Sequence, residues 1–208
     1  MRRFLHISFA VAILLLPRLS LASEIHAAAR AGDAAKVKAL LEADPRLLEV
    51  RDEAGSTPLL AAAAASLREP VESNPYLMAI PEYAAKLQTE YMMQPDVVKV
   101  LLAAGAGVDS RDNDGYAALH WAAMRGNRAI IEMLLAQGAS VGVVDKTFKA
   151  TPLHMAVRAG HPGSVEALLN GRASVSTKDK YGKTPVDYAK SSGNAELINL
   201  LKRRGARK

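Results

Sequence analysis

The sequence predicts an all-α repeat solenoid of about five helix-turn-helix units joined by β-hairpin loops. A four-residue motif recurs with starts at Thr57, Ala117, Thr151 and Thr184, which are 60, 34 and 33 residues apart. A glycine follows nine residues after each of the last three starts, and a leucine follows eight residues later. Half of the residues are hydrophobic but only 5% are aromatic, which argues against a β-sandwich or barrel. Because a single unit cannot bury its own apolar face, the units are expected to stack.

The repeats divide the chain into a leader, a repeat domain and a short basic end. The leader covers residues 1–22, the repeat domain residues 23–206, and the basic end residues 207–208. The predicted units span about 23–56, 57–116, 117–150, 151–183 and 184–206. The turn at the end of each range is named after the unit into which it leads, so the turn of unit four lies at residues 145–150. Unit two is 27 residues longer than a single repeat, and this excess is assigned to an insert at residues 66–95.

Residues 1–22 are predicted to be a cleaved export signal. A basic start precedes an apolar run from Phe4 to Leu16, which is shorter than the roughly 20 residues of a membrane-spanning helix. Ser20 and Ala22 are the small residues expected before a signal-peptidase cut. The mature protein is therefore expected to have no stable membrane anchor and to be periplasmic or, alternatively, secreted. The general and the twin-arginine export routes both remain open.

The charge lies mainly at the two ends of the chain. The formal net charge of the whole chain is +6, but the leader holds three arginines and no acidic residue. Five further basic residues lie in the last seven positions, and without both ends the net charge is −2. Nucleic-acid binding is not predicted, because it needs lysine and arginine spread over a continuous surface. The absence of cysteine excludes disulfides and thiol chemistry.

Each unit is explained by the local chemistry of capping and turn residues. Threonine caps an inner helix that begins with proline, and a glycine such as Gly126 ends it. An outer helix with apolar residues at three-to-four spacing follows, and an Asp-x-x-Gly turn leads into the next unit. Arg172 stands where other units have the glycine that ends the outer helix. We expect the adjacent Gly171 to absorb that geometry through a one-residue shift.

The repeated motifs resemble the ankyrin repeat family. They include Thr151-Pro152-Leu153-His154, Ala122-Ala123, Leu134-Leu135 and Gly138-Ala139, each in register with the other units. The resemblance implies a non-catalytic scaffold that binds proteins through hairpin tips and inner helices, with His26, His120 and His154 bridging adjacent hairpins. Together with the leader, it implies an exported bacterial member. Such members include proteins that support stress-protective enzymes such as catalase and toxin-immunity proteins, and the residues do not choose between these two. A secreted effector is a further alternative.

Three regions supply the predicted contacts with a protein partner. The insert contains a predicted amphipathic helix, which either packs on the stack or contacts the partner. The turn of unit four is one residue longer than its equivalents and presents Phe148, which either contacts the partner or packs under the hairpin. Aromatic residues, methionine and arginine favour interfaces. The candidate partner-binding residues are Tyr116, Trp121, Met124, Phe148, Met155, Tyr181, Tyr188, Tyr83, Tyr91 and Met92.

The sequence offers no convincing catalytic, metal-binding or cofactor-binding motif. The run from Asp112 to Gly115 is similar to a calcium loop but lacks the later glutamate, since Trp121 stands there. An enzyme with a site in the insert is a less favoured alternative, for which Tyr83 and Lys86 are the nearest candidate pair. We expect a monomer with no cofactor, no metal and a protein partner.

Overall fold

The computed structural model describes residues 21–65 and 95–205. In these ranges there are ten α-helices, one short 3-10 helix and no β-strand. The predicted all-α fold is confirmed. The helices are α1 (21–31), α2 (Ala34–Ala43), α3 (Pro58–Ala64), α4 (95–103), α5 (Ala118–Met124), α6 (Arg128–Ala136), α7 (Pro152–Ala159), α8 (Pro162–Asn170), α9 (Pro185–Ser191) and α10 (Ala195–Arg203); the 3-10 helix spans Pro45–Glu49.

The helices form two parallel layers of a stack. The inner helices α3, α5, α7 and α9 each contact the next inner helix, and the outer helices α6, α8 and α10 do the same. Each of α5, α7 and α9 also packs on the outer helix that follows it in the chain. Small buried side chains such as Ala118 and Ala122 allow the inner helices to approach closely, while Leu134 and Leu168 fill the space between the layers.

Capping residues explain where the helices begin. Thr151 and Thr184 each accept a hydrogen bond from the backbone N–H three residues later, and proline follows at the first helical position. The outer helices α6 and α10 use a different cap, which directly follows the glycine that ends the inner helix. Asn127 accepts from the backbone N–H of Ile130, and Asn194 from that of Leu197. The pattern is not uniform, because neither Ala117 before α5 nor His161 before α8 makes a side-chain capping bond.

The structure adds one detail and corrects another at the ends of elements. Leu21, in the predicted leader, is helical and packs against the core in the full chain. Gly171 keeps a φ of −74°, while Arg172 adopts the left-handed φ of 66°. The expected shift is wrong because α8 ends in the same register as α6: the N–H of Arg172 donates to the carbonyl of Leu169, as that of Gly138 donates to the carbonyl of Leu135. Gly171 leaves room for Leu135, since a Cβ atom at Gly171 would lie 2.7 Å from Cδ1 of that leucine.

Candidate protein-binding surface

The candidate surface begins with four turns, each organised by one aspartate. Asp52, Asp112 and Asp179 each accept two backbone N–H groups of their own turn through Oδ1. In the longer turn of unit four, Asp145 accepts from three, those of Thr147, Phe148 and Ala150. These bonds fix the shape of each tip before any partner is bound.

The predicted extra residue of unit four is confirmed by the backbone pairing of the turns. The N–H of Asp112 donates to the carbonyl four residues later, that of Tyr116, whereas the N–H of Asp145 reaches the carbonyl five residues later, that of Ala150. The longer turn is closed by Lys149, which adopts a left-handed φ of 54°. Lysine is uncommon in that conformation, because its Cβ atom is crowded there.

The four turns form one continuous line along the edge of the stack. A backbone N–H of each turn donates to a carbonyl of the preceding one: Asn113 to Ala54, Lys146 to Asp114, and Lys180 to Phe148, at 3.0, 3.0 and 2.8 Å. We call this line the hairpin-tip row, comprising residues 51–55, 111–115, 145–149 and 178–183. Because neighbouring tips are bonded directly, the row is a preorganised surface.

Buried histidines tie the inner helices to the same turns. The Nδ1 atom of His120 accepts the N–H of Ala117, so the proton lies on Nε2, which donates to the carbonyl of Ala150 at 3.1 Å. His154 repeats the pattern with Thr151 and with the carbonyl of Lys183 at 3.2 Å. Burial lowers the pKa of both imidazoles, so they stay neutral at pH 7.

The bridge that the resemblance implied for His26 is also present. Its Nε2 atom lies 2.7 Å from the carbonyl oxygen of Ser56, in the following unit. All three predicted histidine bridges are thereby confirmed. Unit two has Leu60 at the equivalent position, which is fully buried and supplies no such hydrogen bond. The link from unit two to unit three rests instead on the tips and on Arg125, whose Nε donates to the carbonyl of Ala64.

Two aromatic residues of the predicted surface lie on α5 and on the turn before it. The rings of Tyr116 and Trp121 are 5.2 Å apart between centroids, and both side chains are half-buried. Trp121 donates its indole N–H to Oδ2 of Asp112 at 3.1 Å. The hydrogen bond holds the indole against its own turn, and burial raises the pKa of Tyr116.

A second aromatic cluster joins the tips of units four and five. Phe148 is half-buried, and Tyr181 is 62% exposed, with 6.4 Å between their ring centroids. The ammonium of Lys180 lies over both rings, 4.4 Å from the centroid of Phe148 and 5.1 Å from that of Tyr181. Tyr181 is the one large hydrophobic side chain that is exposed in the described ranges. Phe148 packs against the core, as one of its two predicted alternatives required, and its ring also lines the exposed cluster; its contact with a partner stays a prediction.

Tyr188 lies on α9 beside this cluster and is held by charged groups. Its hydroxyl donates to Oδ2 of Asp179, and this hydrogen bond raises the pKa of Tyr188. Burial alone would raise the pKa of Asp179, but the hydrogen bonds that it accepts outweigh burial and hold it below its usual value. Arg158 and Lys183 lie over the ring at 5.6 and 5.5 Å.

The remaining predicted contacts have different positions. Met124 is half-buried at the end of α5, near the candidate surface. Met155 is only 3% exposed and belongs to the core, so this predicted contact is wrong for the described conformation. Tyr83, Tyr91 and Met92 lie outside the described residues, as does the predicted helix of the insert.

The described part of the chain contains no group of three or more His, Cys, Asp or Glu side chains that could hold a metal ion. No helix in residues 21–65 and 95–205 has the length and apolar character needed to span a bilayer.

Stacked helix pairs, an inner-helix histidine bridge and a bonded row of tips define a repeat solenoid. Family models described as ankyrin repeats in three copies and in many copies match residues 83–145 and 134–189, which together are just over half of the chain. The protein belongs to the ankyrin repeat family.

Several curated proteins are similar to this chain. Inversin of Homo sapiens is 30% identical over 184 residues, which are 88% of this chain and 15% of inversin. Protein PhlB of Serratia liquefaciens is 40% identical over 96 residues, 46% of this chain and 42% of PhlB. Calmodulin-binding transcription activator 4 of Arabidopsis thaliana is 44% identical over 52 residues, 25% of this chain and 5% of that protein. The chain thus spans less than half the length of these relatives.

Proposed function

We propose that the protein is a non-catalytic scaffold of the bacterial periplasm that binds a protein partner through the hairpin-tip row and the adjoining inner helices. Ankyrin repeats imply protein–protein interaction, and proteins of this family are generally non-catalytic. The observation that carries the proposal is the exposed, preorganised cluster of Phe148, Lys180 and Tyr181. Aromatic side chains on a fixed frame bind at low entropic cost.

The proposed location rests on the leader. Its basic start, short apolar run and small residues before position 23 fit a signal peptide. N-terminal sequencing of the exported protein should find Ser23 first, and cell fractionation should recover it with periplasmic proteins. Recovery in the cytoplasm with residues 1–22 still attached would refute the location, and recovery in the medium would favour a secreted effector.

The binding role is tested by recovering partners of the intact protein after chemical cross-linking. Trp121→Ala and Tyr181→Ala should each lower the recovery of the partner while leaving the helical content intact. Glu196→Ala, on the exposed face of α10, is the matched control and should change nothing. Equal recovery by all variants would refute the proposed surface.

The identity of the partner is a further part of the proposal. A stress-protective enzyme such as catalase is the partner that the resemblance implies, and a delivered toxin is the alternative. A chain that lacks residues 68–94 tests the insert separately. If it recovers the same partners as the intact chain, the insert is not a contact.

A further inference from the structure

The hairpin-tip row changes its charge from one end to the other. The turns at residues 51–55 and 111–115 together carry two arginines and four carboxylates. The turns at residues 145–149 and 178–183 together carry five lysines and two aspartates. These five side chains are all exposed, and they are Lys146, Lys149, Lys178, Lys180 and Lys183.

The two aspartates among these lysines are not paired with them and leave three positive charges in excess. Asp145 and Asp179 are 1% and 7% exposed, and their oxygens accept hydrogen bonds from their own turns and from Tyr188. Within the described ranges, no carboxylate lies within 4.0 Å of any of the five lysine ammonium groups. Units four and five therefore present positive charge that is not paired with a carboxylate there; the ammonium of Lys146 donates only to the backbone carbonyl of Asn113.

The lysines share this surface with the aromatic cluster. The ammonium of Lys180 lies over the rings of Phe148 and Tyr181, and that of Lys183 lies over Tyr188. Cation–π contacts hold these ammonium groups near the rings instead of leaving them free in solvent. If the carboxylate of an acidic side chain bound to Lys180, the aliphatic carbons of that side chain would lie on the ring of Tyr181.

From this arrangement, and resting on the proposed scaffold function, we infer that units four and five bind an acidic segment of the partner protein. The charge pattern of the row favours a polypeptide over a nucleic acid. A phosphate backbone is negative along its whole length, so its continuation would meet the carboxylates of units two and three. A polypeptide can be acidic at one end and neutral or basic at the other. Lys180 also covers one face of each ring, which reduces the area open to base stacking.

The test measures binding of defined probes by fluorescence anisotropy. Purified protein is titrated into a labelled oligoglutamate peptide of about 20 residues and into a single-stranded oligonucleotide of equal charge, at about 50 mM and 300 mM salt. The variant K149E/K180E reverses two lysines of the surface. The control K99E/K202E makes the same change in net charge on α4 and α10, where both lysines are exposed.

The protein should bind the peptide at low salt, and high salt should weaken binding. K149E/K180E should lower the affinity about tenfold, while the control stays within about twofold of wild type. Equal loss in both variants, no binding of the peptide, or tighter binding of the oligonucleotide would overturn the inference.

The cross-linking experiment separates this inference from the proposed function. If wild type and K149E/K180E recover the same protein partner equally, the scaffold function stands and the acidic-segment inference fails. If the wild-type protein recovers no partner at all, the proposed function fails, whether or not the oligoglutamate peptide binds.

Discussion

Replacing His120 by leucine is expected to destabilise the junction between units three and four. The imidazole is fully buried, accepts the N–H of Ala117 and donates to the carbonyl of Ala150, both at 3.1 Å. Leucine fills a similar volume, as Leu60 does in unit two, but leaves both backbone groups without this partner. A buried polar group without a partner costs about 1–3 kcal/mol, so the free energy of unfolding should fall by about 2–5 kcal/mol.

The same substitution should change how stability depends on pH. Because burial lowers the pKa of His120 below its usual 6.5, the unfolded chain takes up a proton more readily than the folded one. The neutral, buried histidine contributes its full stabilisation above about pH 6.5. Below that pH the free energy of unfolding falls, by at most about 1.4 kcal/mol per pH unit for each such histidine. Burial lowers the pKa of His154 in the same direction, so His120→Leu should reduce the slope without abolishing it.

Urea unfolding followed by circular dichroism, from about pH 8 to pH 5.5, measures both effects. His161→Leu is the control, because His161 is half-buried at the start of α8 and is not one of the three histidines that bridge to a turn. This control should leave the dependence of the unfolding free energy on pH as it is in the wild type. A His120→Leu protein within about 1 kcal/mol of wild type at pH 7.5, or with the wild-type slope, would refute the reasoning.

Three further substitutions have defined outcomes. Arg172→Gly should raise the free energy of unfolding by about 1 kcal/mol relative to Arg172→Ala, because only glycine adopts a φ of 66° without crowding; no difference in urea unfolding would contradict this. Gly171→Ala should lower it by about 1–2 kcal/mol, because the new Cβ would lie 2.7 Å from Leu135, and Leu135→Ala in the same chain should recover part of the loss. Tyr181→Ala should leave thermal stability unchanged, since the ring is 62% exposed, yet lower partner binding; a destabilised protein would show a core role instead.

Most of the fold was predictable because several units repeat the same capping, helix-ending and bridging residues. Thr151 and Thr184 cap inner helices, glycines end them, and His120 and His154 bridge the turns as the resemblance implied. The caps of the outer helices were not predicted, although Asn127 directly follows Gly126 and Asn194 follows Gly193. An asparagine or aspartate at that place is the signal that would have identified them.

The candidate surface was less predictable, because equivalent positions are covered differently in each unit. Trp121 and Tyr188 remain at the surface, each hydrogen-bonded to the aspartate nine residues earlier, Asp112 or Asp179. Met155 has no polar atom for such a bond, and Asp145 uses both oxygens on its longer turn, so the methionine is buried. An aromatic residue nine positions after the aspartate of the turn therefore indicates a side chain held at the surface, whereas the position on the inner helix alone does not separate it from a buried one.

The two non-glycine residues with left-handed backbone among the described residues were also not predictable from a single repeat. Arg172 and Lys149 adopt conformations that glycine prefers, and neither was predicted to do so. Arg172 holds the place that Gly138 has in the preceding unit and makes the same backbone hydrogen bond to the end of the outer helix. The close approach of Leu135 to Gly171 is a separate contact between neighbouring repeats that no single repeat reveals.

The most direct test of the binding surface is site-specific photo-cross-linking in the producing cell. A photoreactive amino acid replaces Tyr181 on the hairpin-tip row in one strain and Ala136, exposed at the end of α6 on the outer layer, in another. We predict a discrete protein adduct from position 181 and none from position 136. Adducts of equal yield from both positions, or from position 136 alone, would contradict the account.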